Sequence, residues 1–82
     1  MTRVKLLFFA TLRDRAGARS MELDIPPDLT VQGLKDKIAS EYPNLRESML
    51  SVLITINREY AFDDAVIPEN AELAMFPPVS GG

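Results

Sequence analysis

Apolar and polar residues alternate with a period of two along several stretches of this chain, and with a period near 3.6 along another. The first stretch, Val4-Lys5-Leu6-Leu7-Phe8-Phe9-Ala10-Thr11, is rich in β-formers, and alternation puts Val4, Leu6 and Phe8 on one face and Lys5, Leu7 and Phe9 on the other. The second face then carries a charge and two large apolar groups, which predicts a core face backed by an outer face that is itself apolar. Ser20-Met21-Glu22-Leu23-Asp24-Ile25 alternates strictly, with Met21, Leu23 and Ile25 inward. The two runs predict an antiparallel hairpin joined by a long, solvated, charged connection from Arg13 to Arg19. Val52 to Ile56 is β-branched and should send Val52, Ile54 and Ile56 to the core. Asn57-Arg58-Glu59 turns the chain toward a short strand at Tyr60 to Phe62. The last strand, Glu72 to Phe76, places Leu73 and Met75 inward and Ala74 and Phe76 outward. A slip of one residue in any strand would exchange its faces.

The helical stretch follows Pro26 and Pro27, which end the second strand. Thr30 is a candidate N-cap, and Val31, Leu34, Ile38 and Tyr42 fall on one side at spacings of three and four, predicting a helix that stops near Pro43. Gly33 in its first turn costs about 0.8 to 1 kcal/mol relative to alanine. Burial of the stripe outweighs that cost, so a tolerated glycine is the expectation, ahead of a close approach of the helix to the sheet. Asn44 to Ser51 reads as loop with a short helical turn, and Asp63 to Ala71 as loop with Pro68 and Asn70 as breakers. The order strand, strand, helix, strand, short strand, strand is the β-grasp pattern: an α+β fold with a mixed sheet of about five strands and one main helix on one face. Residues 1–82 form a single domain in this reading, with a tail at 77–82.

Composition narrows the function. A chain of 82 residues buries only about 60–65% of its unfolded surface, so it has one modest core. It contains no cysteine and no histidine, which removes disulfides, the usual zinc sites and Cys-His or Ser-His nucleophilic pairs. Nine basic against 12 acidic residues give a net charge of −3, the wrong sign for nucleic acid. No run approaches a membrane span, and Met1 to Ala10 lacks the features of a signal peptide, so a cytoplasmic protein is expected. Asp63-Asp64 with Glu69 matches no calcium-loop spacing and reads as a solvated acidic loop, leaving no metal site.

What remains is the C-terminal string Phe76-Pro77-Pro78-Val79-Ser80-Gly81-Gly82. Pro77 and Pro78 end any sheet ladder and carry the chain outward as a stiff arm. From Pro77 to Gly82 that arm reaches roughly 20 Å. Gly81 and Gly82, without Cβ atoms, would let a narrow channel close around the backbone and leave the carboxylate of Gly82 open to attack.

This string, together with Leu7-Phe8-Phe9-Ala10, Asn57 and the Glu72 to Phe76 strand, resembles the family of small, sulfur-carrying subunits of molybdopterin synthase, which have a ubiquitin-like fold. The resemblance spans essentially the whole chain. It implies that Gly82 is adenylated with ATP by an enzyme similar to those that activate ubiquitin and receives sulfur from a donor enzyme as a thiocarboxylate. The tail would then deliver that sulfur to a cyclic pterin precursor in the large catalytic subunit. The small subunit has no active site of its own in that scheme and binds no cofactor. The resemblance also places the first and last strands side by side and parallel, which brings Phe9 and Phe76 together, with Leu7 and Tyr60 adding area, as a partner-binding face. Tyr60 stands where an aliphatic residue is common, and Asn70-Ala71 lacks the glycine often found before the last strand. Three other readings stay open: a carrier for thiamine or another thio-cofactor, a ubiquitin-like protein modifier, and a plain β-grasp interaction module. The modifier has Ser80 against it, where ubiquitin has arginine.

Overall fold

In a computed structural model, which describes residues 2–78, the first strand and the last lie next to each other and run parallel. Strand β1 (Thr2–Phe8) pairs β5 (Glu72–Phe76) with Leu6 opposite Leu73 and Phe8 opposite Met75. On its other side β1 pairs antiparallel with β2 (Ser20–Ile25), Val4 opposite Leu23. Strand β3 (Leu53–Ile56) pairs antiparallel with β5, Ile54 opposite Met75, and with the short edge strand β4 (Glu59–Tyr60). The sheet order is β2-β1-β5-β3-β4.

The alternation read from the sequence is the alternation observed. Val4, Leu6 and Phe8 of β1, Leu23 and Ile25 of β2, Ile54 of β3 and Leu73 and Met75 of β5 are buried in one core cluster, together with Val31, Leu34 and Ile38 of the helix Val31–Glu41. Thr30 caps that helix, its Oγ1 accepting the Gly33 N–H at 3.1 Å. Backbone carbonyls of Asp63 and Ala65 accept the Gln32 and Val31 amides, so the 61–67 loop closes the same helix end. At Gly33 no sheet atom approaches: a Cβ there would meet the Leu29 side chain, 2.5 Å from its terminal Cδ1, which can move aside.

Three boundaries depart from the sequence reading. The first strand ends at Phe8 and not at Thr11, because Ala10 takes a φ of +54° and the Leu12 N–H closes a turn onto the Phe9 carbonyl at 3.1 Å. The Arg13 to Arg19 connection is therefore not all loop. Thr11–Ala16 forms a short helix, α1, which buries Leu12 to 1% exposure and ends at Gly17 in the left-handed region; the longer helix is accordingly α2. Leu12 and Ala16, one turn apart, are its only apolar residues, too short a pattern among charges to mark a helix in the sequence. The fourth strand is Glu59–Tyr60, leaving Phe62 outside it and 83% exposed. Asn44 to Ser51 holds two short 3₁₀ turns, Pro43–Leu45 and Ser48–Leu50, which bury Leu45 and Met49.

Asn57 ties the last strand to the β3–β4 turn. Asn57 and Arg58 both have positive φ, 49° and 74°, as a two-residue hairpin turn of the primed type requires. The Asn57 backbone N–H donates to the Glu72 carbonyl at 2.8 Å and its Oδ1 accepts the Glu72 N–H at 2.9 Å. Asn70 adopts φ 58°, a conformation asparagine tolerates better than most residues. The Asn57→Ala substitution removes a hydrogen bond and forces alanine into the left-handed region, and should cost about 2 kcal/mol. Asn57→Gly removes only the hydrogen bond and should cost about 1 kcal/mol. Urea unfolding should rank wild type above Asn57→Gly and Asn57→Ala last; an alanine variant as stable as wild type would exclude this role for the side chain.

Candidate functional site

The sheet face opposite the core holds the site. Reading across the strands, Leu7 of β1 lies opposite Ala74 of β5, Ala74 opposite Thr55 of β3, and Thr55 opposite Tyr60 of β4. The row is large at its ends and small in its middle, so it forms a groove whose floor is Ala74 and Thr55. Both floor residues are buried although they face away from the core. At the C-terminal end of β5, Phe9 and Phe76 stack with ring centroids 4.6 Å apart and planes within 10° of parallel. Phe9 is held there by its backbone N–H, which donates to the Met75 carbonyl at 3.2 Å and continues the parallel ladder one residue past β1. Arg58 and Glu72 line the opposite end of the groove, whose volume is about 430 Å³.

All four residues assigned from the sequence to the partner-binding face, Leu7, Phe9, Tyr60 and Phe76, line this groove. Phe9 is 40% exposed and Tyr60 76%, while Leu7 and Phe76 are half-buried. Stacking two rings at the surface removes part of each from water and fixes both, yet leaves a flat apolar step facing outward. Sequence reasoning missed Thr55, Ala74, Arg58 and Glu72 as members. Alternation gave the direction of Ala74, but no sequence pattern assigns a small residue to a groove floor.

The tail starts at this groove. Phe76 is the last residue of β5, Pro77 is half-buried and Pro78 exposed. Val79, Ser80, Gly81 and Gly82 lie outside the described residues. Away from the groove, Arg3 bonds Asp24 across the β1–β2 pair at 3.1 Å, and this hydrogen bond with the guanidinium charge holds the Asp24 carboxyl below the usual carboxylate range. Both groups are exposed and the pair is structural at most. Asp63 binds Lys35 of α2 at 2.6 Å, and among the described residues no cluster of acidic residues has the geometry to hold a metal ion. No helix among them is long and apolar enough to cross a membrane.

Comparison with known proteins bears on this arrangement. The model of the ThiS family matches residues 6–82. The molybdopterin synthase sulfur carrier subunit of Arabidopsis thaliana is 35% identical over 79 residues, covering 96% of this chain and 82% of the relative. Among solved structures, the small archaeal modifier protein 1 of Haloferax volcanii is similar with a TM-score of 0.82 at 26% identity, covering 96% of this chain and 100% of that one. A chain in the complex of subunits 1 and 2 of the molybdopterin-converting factor from Helicobacter pylori shares the fold, with a TM-score of 0.70 at 16% identity over 98% of this chain and 99% of that one. The architecture is thus the ubiquitin-like β-grasp, and the chain belongs to the ThiS family, within which it is similar to the sulfur carrier subunits of molybdopterin synthase.

Proposed function

We propose that this chain carries sulfur for molybdopterin synthesis on the carboxylate of Gly82 and docks on the large subunit of molybdopterin synthase through the Phe9–Phe76 groove. The observation that carries the reading is the position of that stacked pair. It sits at the base of the Pro77-Pro78 arm, so a partner seated on the rings lies within reach of the roughly 20 Å tail. The similarity to the Arabidopsis thaliana subunit supports the same reading.

The chemistry begins with an inert group. A carboxylate becomes an acyl donor only when one oxygen is made a leaving group. In the proposed sequence the Gly82 carboxylate attacks the α-phosphorus of ATP on an activating enzyme, pyrophosphate leaves, and an acyl-adenylate forms. Sulfide-level sulfur (HS⁻) supplied by a donor enzyme then attacks the acyl carbon, AMP leaves, and loss of the S–H proton gives the thiocarboxylate. In the large subunit the thiocarboxylate sulfur displaces an oxygen leaving group from a carbon of the pterin precursor, and water then cleaves the acyl C–S bond of the resulting thioester, leaving sulfur on the pterin and returning the Gly82 carboxylate. The chain itself supplies the acyl terminus, a narrow diglycine backbone and a docking surface. ATP is used by the activating enzyme, so the cycle is assigned to the cytoplasm.

A second reading, a protein modifier, draws on the likeness to the Haloferax volcanii modifier protein. It uses the same adenylate but ends in an amide to a lysine. Intact mass spectrometry of the chain isolated from its own cells separates the two. Exchange of one oxygen for sulfur at the terminus supports the carrier, and linkage of Gly82 to lysines of other proteins supports the modifier. Appending a single alanine after Gly82 should leave thermal melting unchanged and abolish sulfur transfer in a reconstituted synthase assay. Retained transfer by the extended chain would refute the proposed chemistry.

Docking has its own test, which also checks the strand register. Phe9→Lys should melt near wild type and weaken binding to the large subunit by about 2 kcal/mol, roughly thirtyfold, since a charge enters an apolar contact. Phe8→Lys, one residue along and fully in the core, should unfold a domain whose total stability is on the order of 4–12 kcal/mol. Calorimetric melts and binding titrations on both variants check the pair of expectations.

A further inference from the structure

Among the described residues, Arg58 lines the groove with a positive φ and with no ion pair or side-chain hydrogen bond. Its φ of 74° places an arginine in the left-handed region, at the turn position where glycine is most at ease. Asn57 at the preceding position has an evident role, since it bonds Glu72. Arg58 has none in the fold. Among the described residues the ion pairs within 4.0 Å are Arg3–Glu22, Arg3–Asp24, Lys35–Asp63 and Lys37–Glu41, and Arg58 donates no side-chain hydrogen bond. Glu72 shares its end of the groove without reaching ion-pair distance, and in the parallel register it stands opposite Lys5. A strained residue whose side chain contributes nothing to the fold, yet faces a groove, is a candidate for a functional role.

The groove has a direction. Phe76 and Glu72 are the two ends of β5, four residues or about 13 Å apart along the strand. One end is a flat aromatic step and the other a guanidinium, with a floor of small residues between them. We infer that Arg58 is the anion-reading end of this docking groove, and that its occupant is a segment of the large subunit with an apolar side chain on the Phe9–Phe76 step and a carboxylate toward the other end of the groove, held by the planar fork of Arg58. The inference rests on the proposed docking function and adds the chemistry of the partner's segment.

The test uses a substitution whose effects on folding and binding have opposite signs. Arg58→Gly creates the Asn-Gly pair that this turn type favours, so its melting temperature should rise by about 3–5 °C. Its affinity for the large subunit, measured by calorimetric titration, should fall roughly tenfold, and the remaining binding should depend less steeply on salt than that of wild type. Arg58→Lys keeps the charge but not the fork and should fall between the two. If Arg58→Gly binds as tightly as wild type with the same salt dependence, the inference is overturned while a weakened Phe9→Lys still upholds the docking face. If neither variant weakens binding, or wild type does not bind, the docking face itself is lost and this inference with it.

Discussion

Parallel pairing of the first and last strands is the constraint on which the rest of the molecule depends. Two parallel strands cannot be joined by a tight turn, so everything from α1 to the 61–71 loop acts as one long connection between β1 and β5. The return strand β2 and the helix α2 fall within it, and α2 buries the face that both central strands present. Side-chain alternation then fixes the second consequence. With Phe8 opposite Met75 in the core, the next residue on each strand must point the other way, and Phe9 meets Phe76 on the outside. Core and groove are thus two faces of one register.

The groove is shaped by the volumes along that outer face. Alanine and threonine occupy the two inner strands where leucine and tyrosine flank them on β1 and β4, so the sheet is thin at its centre and thick at its margins. Thr55 and Ala74 are buried without being in the core because the larger neighbours shade them. Left open to water, the stacked rings and Leu7 leave apolar surface unburied, and a partner that covers them gains from its removal.

Strain is distributed in a related way. The non-glycine residues with positive φ are Ala10, Asp28, Asn57, Arg58 and Asn70. Ala10 follows Phe9 directly, Asn57 and Arg58 close the far end of the groove, and Asn70 precedes β5. Most of the backbone cost therefore surrounds the outer face, where it sets the approach of the strands that build the groove. The asparagines offset part of it with side chains suited to that conformation, and Asn57 adds two hydrogen bonds to Glu72.

Much of this was legible in the chain because it follows from local chemistry. Alternation assigned Val4, Leu6, Phe8, Leu73 and Met75 to the core and Leu7, Phe9, Ala74 and Phe76 to the outer face; Thr30 and the 31, 34, 38, 42 spacing placed α2; the prolines after Phe76 ended β5. Each depends on side-chain direction or donor count within a few residues. Helix α1 was not legible, since Leu12 and the small Ala16 are a single apolar turn among charges, and the segment becomes helical through burial against a distant part of the chain. Nor was the extent of β4, which is set by how many residues can pair with Thr55 and Ile56 before the chain turns away to cover the end of α2. The sequence also identified the aromatic residues of the groove but not its floor or its charged end. Thr55, Ala74 and Arg58 belong to it only because β3, β4 and β5 are brought together by pairing between residues far apart in the chain, and no local pattern encodes which of them will be neighbours.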